Sequence, residues 1–137
     1  SLQGDVKLWD VRTERLRAVL KAGPVFSLAF APTGDMLASG GGDSTVKLWN
    51  ASTGELMKTF RGHRGQVYCV AFSPVGTTLA SGSFDEGIRM WSIDTGSQLT
   101  PIKCDGFVYG ISFSPDGKTL AAATNRSWQL SWLVTNK

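Results

Sequence analysis

His63, Ser81 and Asp85 are the residue types of a nucleophile, its general base and an orienting carboxylate. In a hydrolase Ser81 would attack, His63 would take its proton and Asp85 would hold the imidazole in one tautomer. The surroundings of Ser81 weigh against that chemistry. It lies in Leu79-Ala80-Ser81-Gly82-Ser83, with neither a strained nucleophile turn nor an oxyanion-hole pattern. One histidine and two scattered cysteines offer no metal-ligand spacing, so no metal is expected. The glycine pairs precede no helical segment and read as turns rather than phosphate cradles, so no cofactor is expected either. Asp85-Glu86 lies in a turn and reads as solvated or structural. Nothing here argues for an enzyme.

The elements that position these residues are set by a repeat. Trp9, Trp49, Trp91 and Trp132 recur at intervals of 40, 42 and 41 residues, each closing a short run such as Val46-Lys47-Leu48-Trp49 or Ile88-Arg89-Met90-Trp91. A period of this length means one supersecondary unit repeated along the chain. The 137 residues hold a little over three such units.

Composition narrows the class. With 42% hydrophobic and 18% charged residues the chain is globular, and 16 glycines and five tryptophans imply many tight turns and large buried side chains. No apolar run approaches the roughly 18 residues of a membrane helix. No basic-then-apolar segment opens the chain, and the start at Ser1 reads as a cut or processed end. Net charge is +3, and the cluster of Lys58, Arg61, His63 and Arg64 is too small for nucleic acid and reads as a solvated loop. Neither nucleic acid nor membrane is an expected partner. Cys69 and Cys104 fall at different offsets in different repeats, which suggests free thiols, a reducing compartment and an intracellular, cytoplasmic or nuclear setting.

The best-formed unit predicts four strands. Val67 to Phe72, β-branched and aromatic, reads as a strand buried on both faces. Ser73-Pro74-Val75-Gly76 turns the chain, and Thr77 to Ser83 follows, small at Ala80, Ser81 and Gly82 where neighbouring sheets would approach closely. Phe84-Asp85-Glu86-Gly87 is a second turn, Ile88 to Trp91 a third strand, Asp94-Thr95-Gly96 a third turn. Ser97 to Ile102 reads as a polar outer strand. Ala31-Pro32-Thr33-Gly34, Ser114-Pro115-Asp116-Gly117 and Leu37-Ala38-Ser39-Gly40 repeat the plan elsewhere. Four antiparallel strands per repeat predict an all-β chain of propeller blades.

Gly62-His63, Val70-Ala71-Phe72-Ser73-Pro74, Leu79-Ala80-Ser81-Gly82-Ser83, Asp85 and Ile88-Arg89-Met90-Trp91 resemble the WD-repeat family of β-propellers. Trp9-Asp10 supplies the dipeptide itself, and Trp49-Asn50 and Trp91-Ser92 are variants. The resemblance covers essentially the whole chain. It implies that His63, Ser81, Asp85 and Trp91 form a structural hydrogen-bond network rather than a catalytic set. Ser39, Asp43 and Trp49 keep three of these positions, with Lys21 aligned to the histidine. The last repeat has Cys104, Ala122 and Arg126 instead.

With strands labelled a to d from the inside outward, the chain reads c-d, a-b-c-d, a-b-c-d, a-b-c. The units are 1–22, 23–63, 64–104 and 105–137, the last with Ser127 to Val134 as its c strand. Such an incomplete ring cannot close, which leaves two expectations. In the first, the chain is the C-terminal part of a larger propeller and serves as a protein–protein interaction scaffold, its partners being other chains or the remaining blades. In the second, it assembles with copies of itself into a homo-oligomeric propeller with a peptide or small ligand in the central channel. The resemblance implies docking on the face of d–a and b–c loops. There Phe26, Tyr68 and Tyr109 recur at one register, where they either pack between blades or meet a partner. Gly42, Phe84 and Asn125 precede the aspartate position, and Arg64 and Gln66 lie in a d–a loop. Tyrosine, phenylalanine and arginine are common interface anchors, and Phe84, at a turn tip, is the strongest candidate.

Overall fold

The computed structural model describes residues 4–85, 87–125 and 131–134, and among these it contains thirteen strands and no helix. β1 (Asp5–Asp10) and β2 (Arg15–Lys21) form a two-stranded sheet. β3 (Val25–Phe30), β4 (Met36–Gly41), β5 (Val46–Asn50) and β6 (Leu56–Phe60) form a four-stranded antiparallel meander. β7 (Val67–Phe72), β8 (Thr78–Ser83), β9 (Gly87–Ser92) and β10 (Ile102–Lys103) repeat it, and β11 (Val108–Phe113), β12 (Thr119–Thr124) and β13 (Ser131–Val134) form a three-stranded sheet. The expected c strand over 127–134 lies partly outside the described residues.

Local chemistry makes the turns. Gly34, Gly76 and Gly117 end the a–b turns at φ of 77°, 74° and 71°, which side chains with a Cβ rarely adopt. Each amide closes back on the carbonyl three residues earlier, at 2.8 Å for Gly34 and Gly76.

One strand departs from expectation. The outer strand read over Ser97 to Ile102 shrinks to β10 plus an isolated bridge between Trp91 and Gln98. Pro101 cannot donate to the ladder, so pairing with β9 breaks there and resumes only at Ile102 opposite Ile88.

Three apolar clusters lie between successive sheets. Val6, Leu20 and Ala22 pack with Leu37 and Trp49; Ala38, Leu48 and Phe60 pack with Val70, Phe72 and Trp91; Cys69, Ala80 and Ile88 pack with Val108 and Leu120. The small residues of β4 and β8 permit this approach. A Cβ on Gly40 would sit 2.7 Å from Val67 Cγ1, and one on Gly82 would meet Val108 and Cys69. The exposed inner face of β3 shows what the stacking supplies. Leu28 and Phe30 are 49% and 58% exposed, whereas their counterparts in β7, Val70 and Phe72, are 6% and 9% exposed against the preceding sheet. β3 therefore does not share the two-sided burial of β7.

Each inner strand also carries an irregularity at one register. Pairing shifts between Val25 and Ser27, between Val67 and Cys69, and between Val108 and Gly110. The extra residues are Phe26, Tyr68 and Tyr109. A bulge of this kind re-aims the side chain of the unpaired residue.

Candidate interaction face

β8 presents Ser81 inward and β9 presents Trp91 beside it, while the loop before β7 folds His63 over both. Trp91 Nε1–H donates to Ser81 Oγ at 3.0 Å, His63 Nε2 lies 2.7 Å from the same oxygen, and His63 Nδ1 lies 2.9 Å from Asp85 Oδ2. The bonding pattern assigns a neutral imidazole: Ser81 O–H donates to Nε2, and Nδ1–H donates to the carboxylate. The Arg64 amide adds a bond to Asp85 Oδ2 at 2.8 Å. Burial pushes the His63 imidazole below its ordinary value, outweighing the upward pull of the Asp85 hydrogen bond and charge. Burial pushes Asp85 up, but the Arg64 amide, the His63 bond and the charges of His63 and Arg89 bring it below its ordinary value. Ser81 is fully buried and cannot meet a substrate from solvent. Ser83, which sequence reasoning passed over, ties this turn down, since its Oγ bonds the carbonyls of Gly65 and Gln66 and accepts from the Asp85 amide.

The other repeats keep parts of this arrangement. Trp49 Nε1–H donates to Ser39 Oγ at 2.9 Å. Asp43 accepts from Thr45 and lies 2.6 Å from Lys47 Nζ, which also reaches the Ala22 carbonyl. Lys21, aligned with the histidine, pairs instead with Asp5 at 3.0 Å. In the last sheet Cys104 and Ala122 are buried, and Arg126 lies outside the described residues. The basic cluster around His63 is no uniformly solvated loop: His63 is buried, and Lys58 donates to the carbonyls of Ile93 and Asp94.

The bulged aromatics meet one another. Tyr68 stacks on Tyr109 with centroids 5.3 Å apart, contacts Phe26 at 5.3 Å and meets Phe84 edge-on at 6.2 Å. Phe84 stacks on Phe107 at 3.6 Å. Phe26, Tyr109 and Phe84 nevertheless stay about half-exposed, so the row touches across sheets without being core. Phe107 is the member that sequence reading missed, because the same register position holds Pro24 and Gln66 in the other repeats and so shows no recurring aromatic. Supporting residues hold the row in place. Gly42 leaves room for the Phe26 ring, Asn125 accepts the Phe107 amide at 2.9 Å, and Gln66 accepts from the Tyr68 hydroxyl at 3.2 Å. Arg64 is exposed at the rim. Among the described residues no grouping of histidine, cysteine and carboxylates could hold a metal.

Four-stranded meanders stacked through their inner strands, with a tryptophan in each third strand bonded to a second-strand serine, define a set of β-propeller blades. Residues 15–50, 54–92 and 96–130 match the family described as WD domain, G-beta repeat, and the chain belongs to that family. It is 46% identical over 48 residues to the periodic tryptophan protein 2 homolog of Neurospora crassa, covering 34% of this chain and 5% of that protein. It is 49% identical over 41 residues to the nuclear distribution protein PAC1 of Coccidioides posadasii, covering 30% and 9%. It is 42% identical over 40 residues to the denticleless protein homolog of Danio rerio, covering 29% and 6%. The match thus spans less than a tenth of each relative's length. WD-repeat proteins act in general as protein-interaction scaffolds.

Proposed function

We propose that this chain supplies blades of a longer propeller that scaffolds protein partners, and that these partners meet the face carrying Phe26, Tyr68, Phe84 and Tyr109. The carrying observation is the bulge at one register of every inner strand. A regular strand would alternate these rings into the blade contacts; the bulge turns them out as a row of rigid amphipathic anchors. Binding rather than catalysis is favoured by the burial of Ser81. The exposed Leu28 and Phe30 support further blades beyond β3, since the same positions in β7 are covered by a neighbour. Two buried, unpaired cysteines support a reducing compartment. A pull-down with the chain and its Phe84→Ala and Tyr109→Ala variants tests the reading. Loss of partners with an unchanged melting temperature is expected, and full retention by both folded variants overturns it.

A further inference from the structure

A cavity of about 250 Å³ is lined by Arg64, Arg89 and Lys103 together with Asp85, Pro101 and Ile102. The broken outer strand accounts for it. In the preceding blade β6 runs without a proline, and Lys47 closes onto Asp43, Thr45 and the Ala22 carbonyl. Arg89 holds the position of Lys47 but does not close. Its Nη2 stands 3.9 Å from Asp85 Oδ2, beyond hydrogen-bond range. Its Nε–H is buried without an acceptor, and Asp85 Oδ1 is buried without a donor on a side chain only 10% exposed. Buried polar groups are normally paired, so this donor and acceptor specify what belongs beside them.

We propose that this cavity receives one anionic residue of a bound protein segment, a phosphorylated or acidic side chain whose oxyanion meets Arg89, Arg64 and Lys103 while its backbone N–H donates to Asp85 Oδ1. The proposal rests on the protein-interaction reading above. Among the described residues three cations face a single carboxylate, and that carboxylate is already shared with His63 and the Arg64 amide. Guanidinium groups bind planar or tetrahedral oxyanions through charge-assisted hydrogen bonds. A free phosphate would satisfy the donors but bring no amide to Oδ1; a peptide residue brings both. The volume falls below the roughly 300–1,000 Å³ of small-molecule sites, which fits one anchoring side chain.

The test is a titration of the chain with three peptides identical except for a central phosphoserine, aspartate or serine, following the Arg89 Nε–H signal by NMR. The expected result is a shift of that signal by the phosphoserine or aspartate peptide, with affinity about tenfold above the serine peptide. The stronger of the two identifies the oxyanion. In Lys103→Gln and Arg64→Gln the affinity should fall by about tenfold while the Trp91 indole N–H signal stays in place, which reports an intact fold. Equal binding of all three peptides, or an unmoved Arg89 signal at millimolar peptide, overturns the site. If Phe84→Ala still loses partners in that case, the scaffold reading survives and only this site falls.

Discussion

Trp91 and Ser81 are joined by an indole N–H donated 3.0 Å to a hydroxyl that in turn donates to His63 Nε2, so one serine oxygen ties the third strand, the second strand and the preceding loop together. Trp49 makes the same bond to Ser39 without a histidine above it. Trp9, in a two-stranded sheet, is 57% exposed, against 2% for Trp91. Among Trp9, Trp49 and Trp91, the tryptophan is therefore buried where a second strand offers it an acceptor and a surface.

Removing the histidine should expose that dependence. His63→Ala leaves Ser81 and Asp85 each short of a partner inside the protein, and should lower stability by about 1–3 kcal/mol. Urea unfolding of the two proteins measures it; an unchanged midpoint rules out a structural role for this network.

Acid should act through the same residue. The folded state keeps His63 neutral below its ordinary value of 6.5, so below that pH the unfolded chain binds the extra proton and the folded chain does not. Stability is unaffected by this group above pH 6.5 and falls as pH drops below it, with a slope of at most about 1.4 kcal/mol per pH unit, levelling once His63 protonates in the fold. Melting temperatures between pH 7.5 and 5 should show the decline in the native chain and a flatter profile in His63→Asn. Parallel profiles would remove His63 from the account.

Blade contact should be intolerant of a single methyl group at Gly82. A Cβ there meets Val108 of the next blade and Cys69 of the neighbouring strand in its own, and overpacking of this kind costs about 1–3 kcal/mol. Gly82→Ala is expected to lower the urea midpoint, whereas Gly110→Ala, whose nearest contact is Ala123 Cβ at 3.8 Å, should change it little.

The exposed face of β3 should govern self-association. Leu28→Lys with Phe30→Lys should leave the melting temperature within a few degrees and reduce any concentration-dependent growth in light scattering. Val70→Lys, at the equivalent buried position, should unfold the chain by burying a charge without a partner. A stable dimer that survives the β3 pair would instead favour the self-assembling propeller.

Much of this architecture is legible in the residues themselves. Val67-Tyr68-Cys69-Val70-Ala71-Phe72 reads as a strand because β-branched and aromatic side chains suit a pleated surface, and β7 spans those residues. Gly76 marks its turn because the required φ excludes most other residues, and the small run at Ala80-Ser81-Gly82 announces close blade contact. Pro101 carried the warning about the outer strand, since a proline interrupts a ladder wherever it falls inside one. Phe107 carried none: its stacking on Phe84 joins two loops of different blades.

What the sequence determined by itself is therefore the unit, its period, its turns and the residues that would cluster behind each tryptophan, because these follow from backbone preferences and from matching one repeat against another. Tertiary structure decided which way the recurring aromatics face and which charges are left unmatched. Phe26, Tyr68 and Tyr109 look identical as core or as anchors until the bulge fixes their direction. Lys47 and Arg89 hold equivalent positions, yet one closes on its carboxylate and the other leaves a buried N–H beside a cavity. Both outcomes depend on strand register and on the neighbouring blade, which no local stretch of residues encodes.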